Sequence, residues 1–328
     1  GTNSWRQSGD MDMVENILWA SIAGKDITDG SETGTSASAV TVDSTDADIS
    51  FERSEHHELL KLSIFFALEN TTYRLNEAQV NQCEIDFSID GIAQLTWSGN
   101  ATTIDQVSTA IEDPSKTLHA KPSGTDTSVT TATYVEGYNY ADSTGPDDAD
   151  YLRNKLSTLT LVAAAQGGGA ASGGLDARTY DINITGGSIT IANNVTYVTP
   201  ETLGIIDKPI GSFTGARQIT GNLTCYLDTK SNGSNQLLTD LAGATDLVTN
   251  VFDMSLFMGG ASSATPVVEF DIPKAHMTVP TIETADLIST SVEFAAHGTD
   301  LLTGDEMTVK YKGSTTHSDS QYATDYTV

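Results

Sequence analysis

The sequence predicts a mainly β chain: two tandem antiparallel β-sandwich or barrel units, each with a short flanking α-helix, joined by a Gly-rich linker. Three observations carry this. Ser, Thr, Gly, Asp and Asn abound, as short strands joined by tight turns require. Segments recur in the same order. Ile64–Tyr73 and Ser188–Tyr197 both end in Asn-x-Thr-Tyr, Leu95-Thr96-Trp97 answers Leu223-Thr224-Cys225, and Leu156-Ser157-Thr158 answers Ile288-Ser289-Thr290. Between the two copies lies Gly167-Gly168-Gly169-Ala170-Ala171-Ser172-Gly173-Gly174, the composition of a linker.

Taken in order, residues 1–55 read as an N-terminal arm or loop. Their apolar content is mostly Val14–Ile22, and Gly30–Asp48 is rich in Ser, Thr and Asp. The first unit spans 56–166. Leu60–Ala67, Cys83–Ile89 and Gly91–Trp97 are strand-like, β-branched or aromatic and partly alternating. Ile104, Val107 and Ile111 have helical spacing, so Asp105–Glu112 is predicted as the first short helix. A long acidic loop, 122–152, carries Tyr134, Tyr138 and Tyr140, and Leu156–Ala164 closes the unit as a strand. After the linker at 167–178, the second unit spans 179–312. Strands are predicted at Thr179–Ile184, Ser188–Tyr197, Arg217–Leu227, Val251–Met258, Val267–Ile272, Leu287–Phe294 and Met307–Lys312. Asn235–Leu247 is the second helix, entered from an Asp-Thr-Lys-Ser-Asn-Gly turn. Residues 313–328 read as a polar tail.

The charge is lopsided: 44 acids against 16 bases give a formal net charge of −28. Such a chain does not grip duplex DNA, which carries about one negative charge per 1.7 Å of axis. It suits a surface past which a polyanion moves without sticking. Cys83 and Cys225 are too few for a disulfide framework and have no metal-ligand spacing, so each is expected to be a small buried hydrophobe. The N-terminus has neither the basic start nor the apolar core of a signal peptide, and no apolar run is long enough to span a membrane.

Candidate chemistry is thin. Glu55-His56-His57-Glu58 resembles a metal cluster, but adjacent histidines on a strand point to opposite faces. The acid groups Asp26/Asp29/Glu32, Asp43/Asp46/Asp48 and Asp142/Asp147/Asp148/Asp150 lack the calcium-loop spacing. No nucleophile elbow, phosphate-binding glycine loop or zinc-protease helix motif is present. Asn70 and Asn194, each before a Thr-Tyr, read as turn formers. No catalytic, cofactor-binding or metal residue is assigned, and no enzymatic activity is expected.

The second unit carries a resemblance. Gly187-Ser188-Ile189-Thr190-Ile191-Ala192-Asn193-Asn194, then Tyr197-Val198-Thr199-Pro200-Glu201-Thr202-Leu203-Gly204, resembles the major tail tube proteins of long-tailed, siphovirus-like bacteriophages. So do Gly215–Leu227 with the following helix and Asp305–Tyr311, and more faintly 56–165 through the repeat. The resemblance implies sandwiches side by side in a ring, rings stacked into a hollow acidic tube, and viral dsDNA passing through it without specific binding. It implies a virion protein assembled in the host cytoplasm, with tape-measure, tail-terminator and tail-tip proteins as neighbours and no membrane partner. With two units per chain, a homotrimer forming a pseudo-hexameric ring is expected, otherwise a homohexamer. The rival reading is a two-domain β-sandwich adhesin that binds carbohydrate or a host partner.

Overall fold

The computed structural model describes residues 3–10, 16–24, 27–29, 40–42, 46–51, 59–68, 71–91, 93–107, 157–199, 209, 211–245, 251–258, 268–279, 281–284, 288–299 and 304–312. The long acidic loop, the His56-His57 cluster, Asn70, the three tyrosines and the tail lie outside them. Among the described residues strands dominate, and the pairings are antiparallel except that of Ile27–Asp29 with Val40–Val42.

Seventeen strands join in one hydrogen-bonded network, which two long strands bend into layers. The first layer runs β1 (Asn3–Asp10), β7 (Gln94–Ala101), β6 (Thr71–Asp86), β11 (Ile184–Ala192), β14 (Gln218–Tyr226), β18 (Ile288–Ala296), β17 (Thr281–Thr284). The second runs β10 (Arg178–Tyr180), β9 (Thr158–Ala163), β15 (Phe252–Met258), β16 (Val268–Met277), β19 (Thr308–Lys312), β4 (Asp46–Ser50), β3 (Val40–Val42), β2 (Ile27–Asp29). β16 serves both: its start pairs with β19 and its end with β18. β6 bends likewise, and its first half forms a wing with β5 (Leu62–Leu68) and β8 (Thr103–Val107). β12 (Thr196–Val198) and β13 (Gly211–Phe213) stand apart as a pair.

Alternation builds the core. Trp97, Cys83, Ile191 and Ile219 lie across four neighbouring strands, and Leu95, Ile85 and Ile189 across three of them, and all are buried. They share one apolar cluster with Leu161, Met254, Leu256, Phe270, Ile272 and Val309 of the second layer. Cys83 and Cys225 are both buried, as expected, and burial pushes the Cys225 thiol up to about 11.

Several elements depart from the sequence expectation. The stretch read as an arm holds β1, β2, β3, β4 and helix α1 (Asn16–Ala23). α1 puts Leu18, Trp19, Ile22 and Ala23 in the core, and Trp19 meets the edge of Trp97 at 4.8 Å between centroids. The predicted helix at 105–112 begins instead as β8, because pairing with β6 from Thr103 to Val107 outweighs helical spacing; residues 108–112 lie outside the description. Helix α2 (Ser234–Gly243) does form, burying Leu237 and Leu241.

The Gly-rich stretch is not an open tether. It is the closed turn between β9 and β10, with Gln166 bridged to Leu175 and the Asp176 carboxylate accepting from the Ala170 N–H at 2.9 Å. At Gly174 a Cβ would sit 1.8 Å from the Gln166 carbonyl oxygen, so only glycine fits. The turn therefore belongs to the sandwich. β6·β11 and β9·β15 likewise carry sheet and core across 167–178.

Two of the ladders also share a pattern. β5 meets β6 through Leu62↔Ala78, then a bulge, then Ile64↔Leu75. β15 meets β16 through Phe252↔Ala275, then a bulge at the same place, then Met254↔Ile272. β7 and β8 flank β6 as β18 and β19 flank β16 and β17. β1 then α1 occupy the places of β14 then α2. The sequence matches set β7 against β14, whereas the ladders set it against β18. Thr-rich strands with one buried face resemble one another whatever their place, which explains the misregistration.

Truncating Trp19 removes a fully buried indole and its contact with Trp97. Trp19→Ala is expected to lower unfolding free energy by about 3–5 kcal/mol, read from urea midpoints at unchanged slope.

Candidate functional site: the open face of the long sheet

The central strands of the first layer, β7, β6, β11, β14 and β18, give alternate residues to the core and to the opposite face. Cross-strand register assembles that face in rows. Thr96, Glu84, Thr190, Thr220 and Ala295 form one row. Gln94, Asp86, Ser188, Asn222 and Glu293 form the next, and Asn222 Nδ2 donates to Ser188 Oγ at 3.1 Å within it. Ser98, Gln82, Ala192 and Gln218 lie on one side, Thr224 and Ser291 on the other.

The chemistry of this face is one-sided. At these positions of β6, β7, β11, β14 and β18 stand hydroxyls, amides and alanine with three carboxylates, Glu84, Asp86 and Glu293. None of them is Lys or Arg. At the edge of the layer β1 sets Arg6 in register with Ser98, while other cations are engaged away from this face. Arg217, with a fully buried side chain, pairs with Glu306 at 3.4 Å and lies 4.7 Å over the Phe51 ring. Arg178 joins β10 to α2 through Asp240 at 3.1 Å, and Tyr180 donates to the same carboxylate at 2.8 Å. Burial and Asp240 push the Tyr180 phenol well above its usual range.

The seam between β6 and β11 is built with care. Phe87 N–H donates to Gly187 O at 3.1 Å and Ile89 N–H to Thr185 O at 2.9 Å, extending the ladder. A Cβ on Gly187 would lie 2.2 Å from the Asn222 oxygen and 2.9 Å from the Phe87 ring, so the close approach needs glycine. At the other end Val195 N–H donates to Asn81 Oδ1 at 2.7 Å, and buried Asn193 donates to Ile22 O at 2.9 Å. Asn194 turns the chain at φ 52°, holding Ala216 O at 2.9 Å, which fits the turn role predicted for it. Tyr197 donates to Asn100 O at 2.9 Å; burial first, then the Glu77 charge, pushes its phenol up to about 12. The sequence reading missed this face. Its signal was the alternation of Thr, Ser, Asn and Gln with apolar residues, legible only once the register was known.

Of the acid groups singled out in sequence, only Asp29, Asp46 and Asp48 fall on described backbone, in β2 and β4. Among the described residues no group of three or more His, Cys, Asp or Glu could hold a metal ion. No helix among them is long and apolar enough to cross a membrane.

A family model described as phage tail tube protein matches residues 18–296. The tail tube protein pb6 of Escherichia phage T5 is similar: 34% identical over 259 residues, covering 79% of this chain and 49% of that protein. The chain thus spans about half the length of the curated relative it matches.

One titration at the rim of the face is testable. The His276 and His297 rings meet edge-on at 4.6 Å, and His276 lies beside Ala295 in register. Burial, then the His297 charge, holds His276 below the usual histidine value, so the folded chain disfavours its protonation. The stability this group protects is full above about pH 6.5, the unfolded value, and is lost as pH falls through the lower folded one. His276→Gln is expected to shrink the drop in Tm between neutral and mildly acidic buffer, measured by calorimetry beside the unsubstituted chain.

Proposed function

The chain belongs to the phage tail tube protein family, and we propose that it is the tail tube subunit, self-assembling into stacked rings whose bore is lined by the open face of the long sheet. One observation carries this reading: a continuous polar sheet face, free of Lys and Arg at the named positions of β6, β7, β11, β14 and β18 and with Arg6 only at its β1 edge, crosses both halves of the chain through β6·β11. A duplex sliding along it meets hydroxyls, amides and like charge, and forms none of the ion pairs that make DNA binding tight. Screening limits the repulsion to about 8 Å at physiological salt, so the lining residues decide the passage.

The matched ladders support reading the chain as one duplicated unit: β1–α1–β5–β6–β7–β8, then β14–α2–β15–β16/β17–β18–β19. Three chains would then close a ring of six quasi-equivalent units; six chains is the alternative. Tape-measure, tail-terminator and tail-tip proteins are the expected neighbours in the virion tail, with assembly in the host cytoplasm.

Two measurements test this. Electron microscopy of purified protein is expected to show hollow stacked rings with six lobes from three chains; a permanently dispersed chain refutes the tube. Tubes of the Glu84→Lys/Asp86→Lys/Glu293→Lys chain are expected to retain duplex DNA. The log–log slope against salt should be about −0.9 for each phosphate neutralised. Unsubstituted tubes should let the DNA pass. Equal behaviour of the two would place this face away from the bore.

A further inference from the structure

The two bulged ladders are supported differently. At the bulge of β15 on β16, Phe252, Met254, Ile272 and Ala275 are all buried in the main core. At the matching bulge of β5 on β6, Leu75 and Ala78 are buried in a separate small cluster with Ala101, and half-buried Leu62 and Ile64 pack against it. Of these residues only Leu62 also touches the main core. The wing therefore has a core of its own, and a thin one.

Backbone strain sits at the same place. Among the described residues, three other than glycine have a left-handed φ: Asn194, Asn232 and Glu77, the last at 48°. Asparagine enters that region at little cost, whereas glutamate does so against its own Cβ. Lys274, which precedes Ala275 as Glu77 precedes Ala78, is not among them. A second bulge on β6, between Val80 and Gln82, follows directly. The strand thus bends between its wing half and the half paired with β11, and the Asn81–Val195 bond fixes the far side of the bend.

Tyr197 spans that bend. Its phenol lies 2.9 Å from Asn100 O on β7 and 3.5 Å from Glu77 O, reaching both from β12. The Lys61–Glu77 ion pair, at 3.7 Å, has both side chains more than half exposed and adds little. We propose that the wing is a hinged element, which swings on residues 77–80 of β6 and is latched to the main sheet by the Tyr197 hydroxyl. The hinge is a property of the single chain and does not depend on the bore assignment. It gives the chain one part whose angle adapts to a neighbouring molecule while the β6·β11 register stays fixed.

Hydrogen exchange of the full chain in rising, sub-denaturing urea tests this. The paired amides of 72–76 and 103–107 are expected to show protection about ten-fold or more below that of 83–86 and 188–192. Their exchange should depend little on urea, as local opening does. Tyr197→Phe removes one hydrogen bond and should speed exchange in the wing about five-fold, with the main sheet unchanged. Glu77→Gly relieves the left-handed strain and should slow the wing about two-fold or more. A wing that matches the main sheet in protection and urea dependence would overturn the hinge. Tyr197→Phe leaving the wing unchanged, or speeding wing and main sheet alike, would overturn the latch. Equal or faster wing exchange in Glu77→Gly would overturn the strain at the pivot.

Discussion

The pairing of β6 with β11 is the constraint on which the rest depends. Five residues of each strand are in register, from Gln82↔Ala192 to Asp86↔Ser188. That register decides both faces at once. It sets Cys83 and Ile85 beside Ile191 and Ile189 in the core, and Glu84 and Asp86 beside Thr190 and Ser188 on the open side. A slip by one residue would turn carboxylates inward and isoleucines out, which the desolvation cost of buried charge forbids. Gly187 lets Phe87 close against the ladder just beyond, and the Asn81–Val195 and Asn193–Ile22 bonds pin the opposite end. The seam is thus clamped at both ends by contacts that tolerate no shift.

From that seam the layers follow. β6 and β16 are each longer than any one sheet needs, and each bends at a bulge to leave the first layer. The bend lets one core serve two sheets, so the apolar faces of β14 and β18 find partners in β15 and β16. Helix α1 fills the place where the first half would otherwise leave the core open, with Trp19 and Trp97 edge to face. Arg217 is tolerated inside because Glu306 and the Phe51 ring both answer its charge.

Much of this was legible in the sequence, for a physical reason. β9, β14, β15, β18, β19 and α2 are short elements whose own residues carry their period, so their sequences announce the strands within two residues and α2 within four. What was hidden depends on partners far along the chain. β8 looks helical by the spacing of Ile104, Val107 and Ile111, and only its pairing with Thr72–Asn76 makes it a strand. α1 lies in a polar surrounding that masked its four buried residues. The glycines at 167–174 look like a tether unless the Gln166–Leu175 bridge is seen. The recurring segments do not tell which strands correspond, because β7, β14 and β18 all alternate apolar with polar residues. The open face was unreadable for the same cause: a lining residue is defined by its cross-strand row, and a row joins residues from both ends of the chain.

The charge of the chain needs the same discrimination. A formal −28 suggests an acidic carpet, yet the described open-face rows of β6, β7, β11, β14 and β18 hold three carboxylates. Glu84 and Asp86 are neighbours on β6, while Glu293 lies three strands away on β18, roughly 14 Å at the usual strand spacing. That exceeds the screening length of about 8 Å, so the repulsive fields are separate patches. Between them run Ser188, Thr190, Thr220 and Asn222, which hold water and offer phosphate no opposite charge. A strongly acidic wall would raise the barrier to entry of a polyanion, and a single lysine would give it a place to stop. A neutral, hydrated surface with sparse like charges avoids both. With this face lining the bore as proposed, the absence of Lys and Arg from its rows on β6, β7, β11, β14 and β18 counts for more than its number of acids, and Arg6 stands only at the β1 edge.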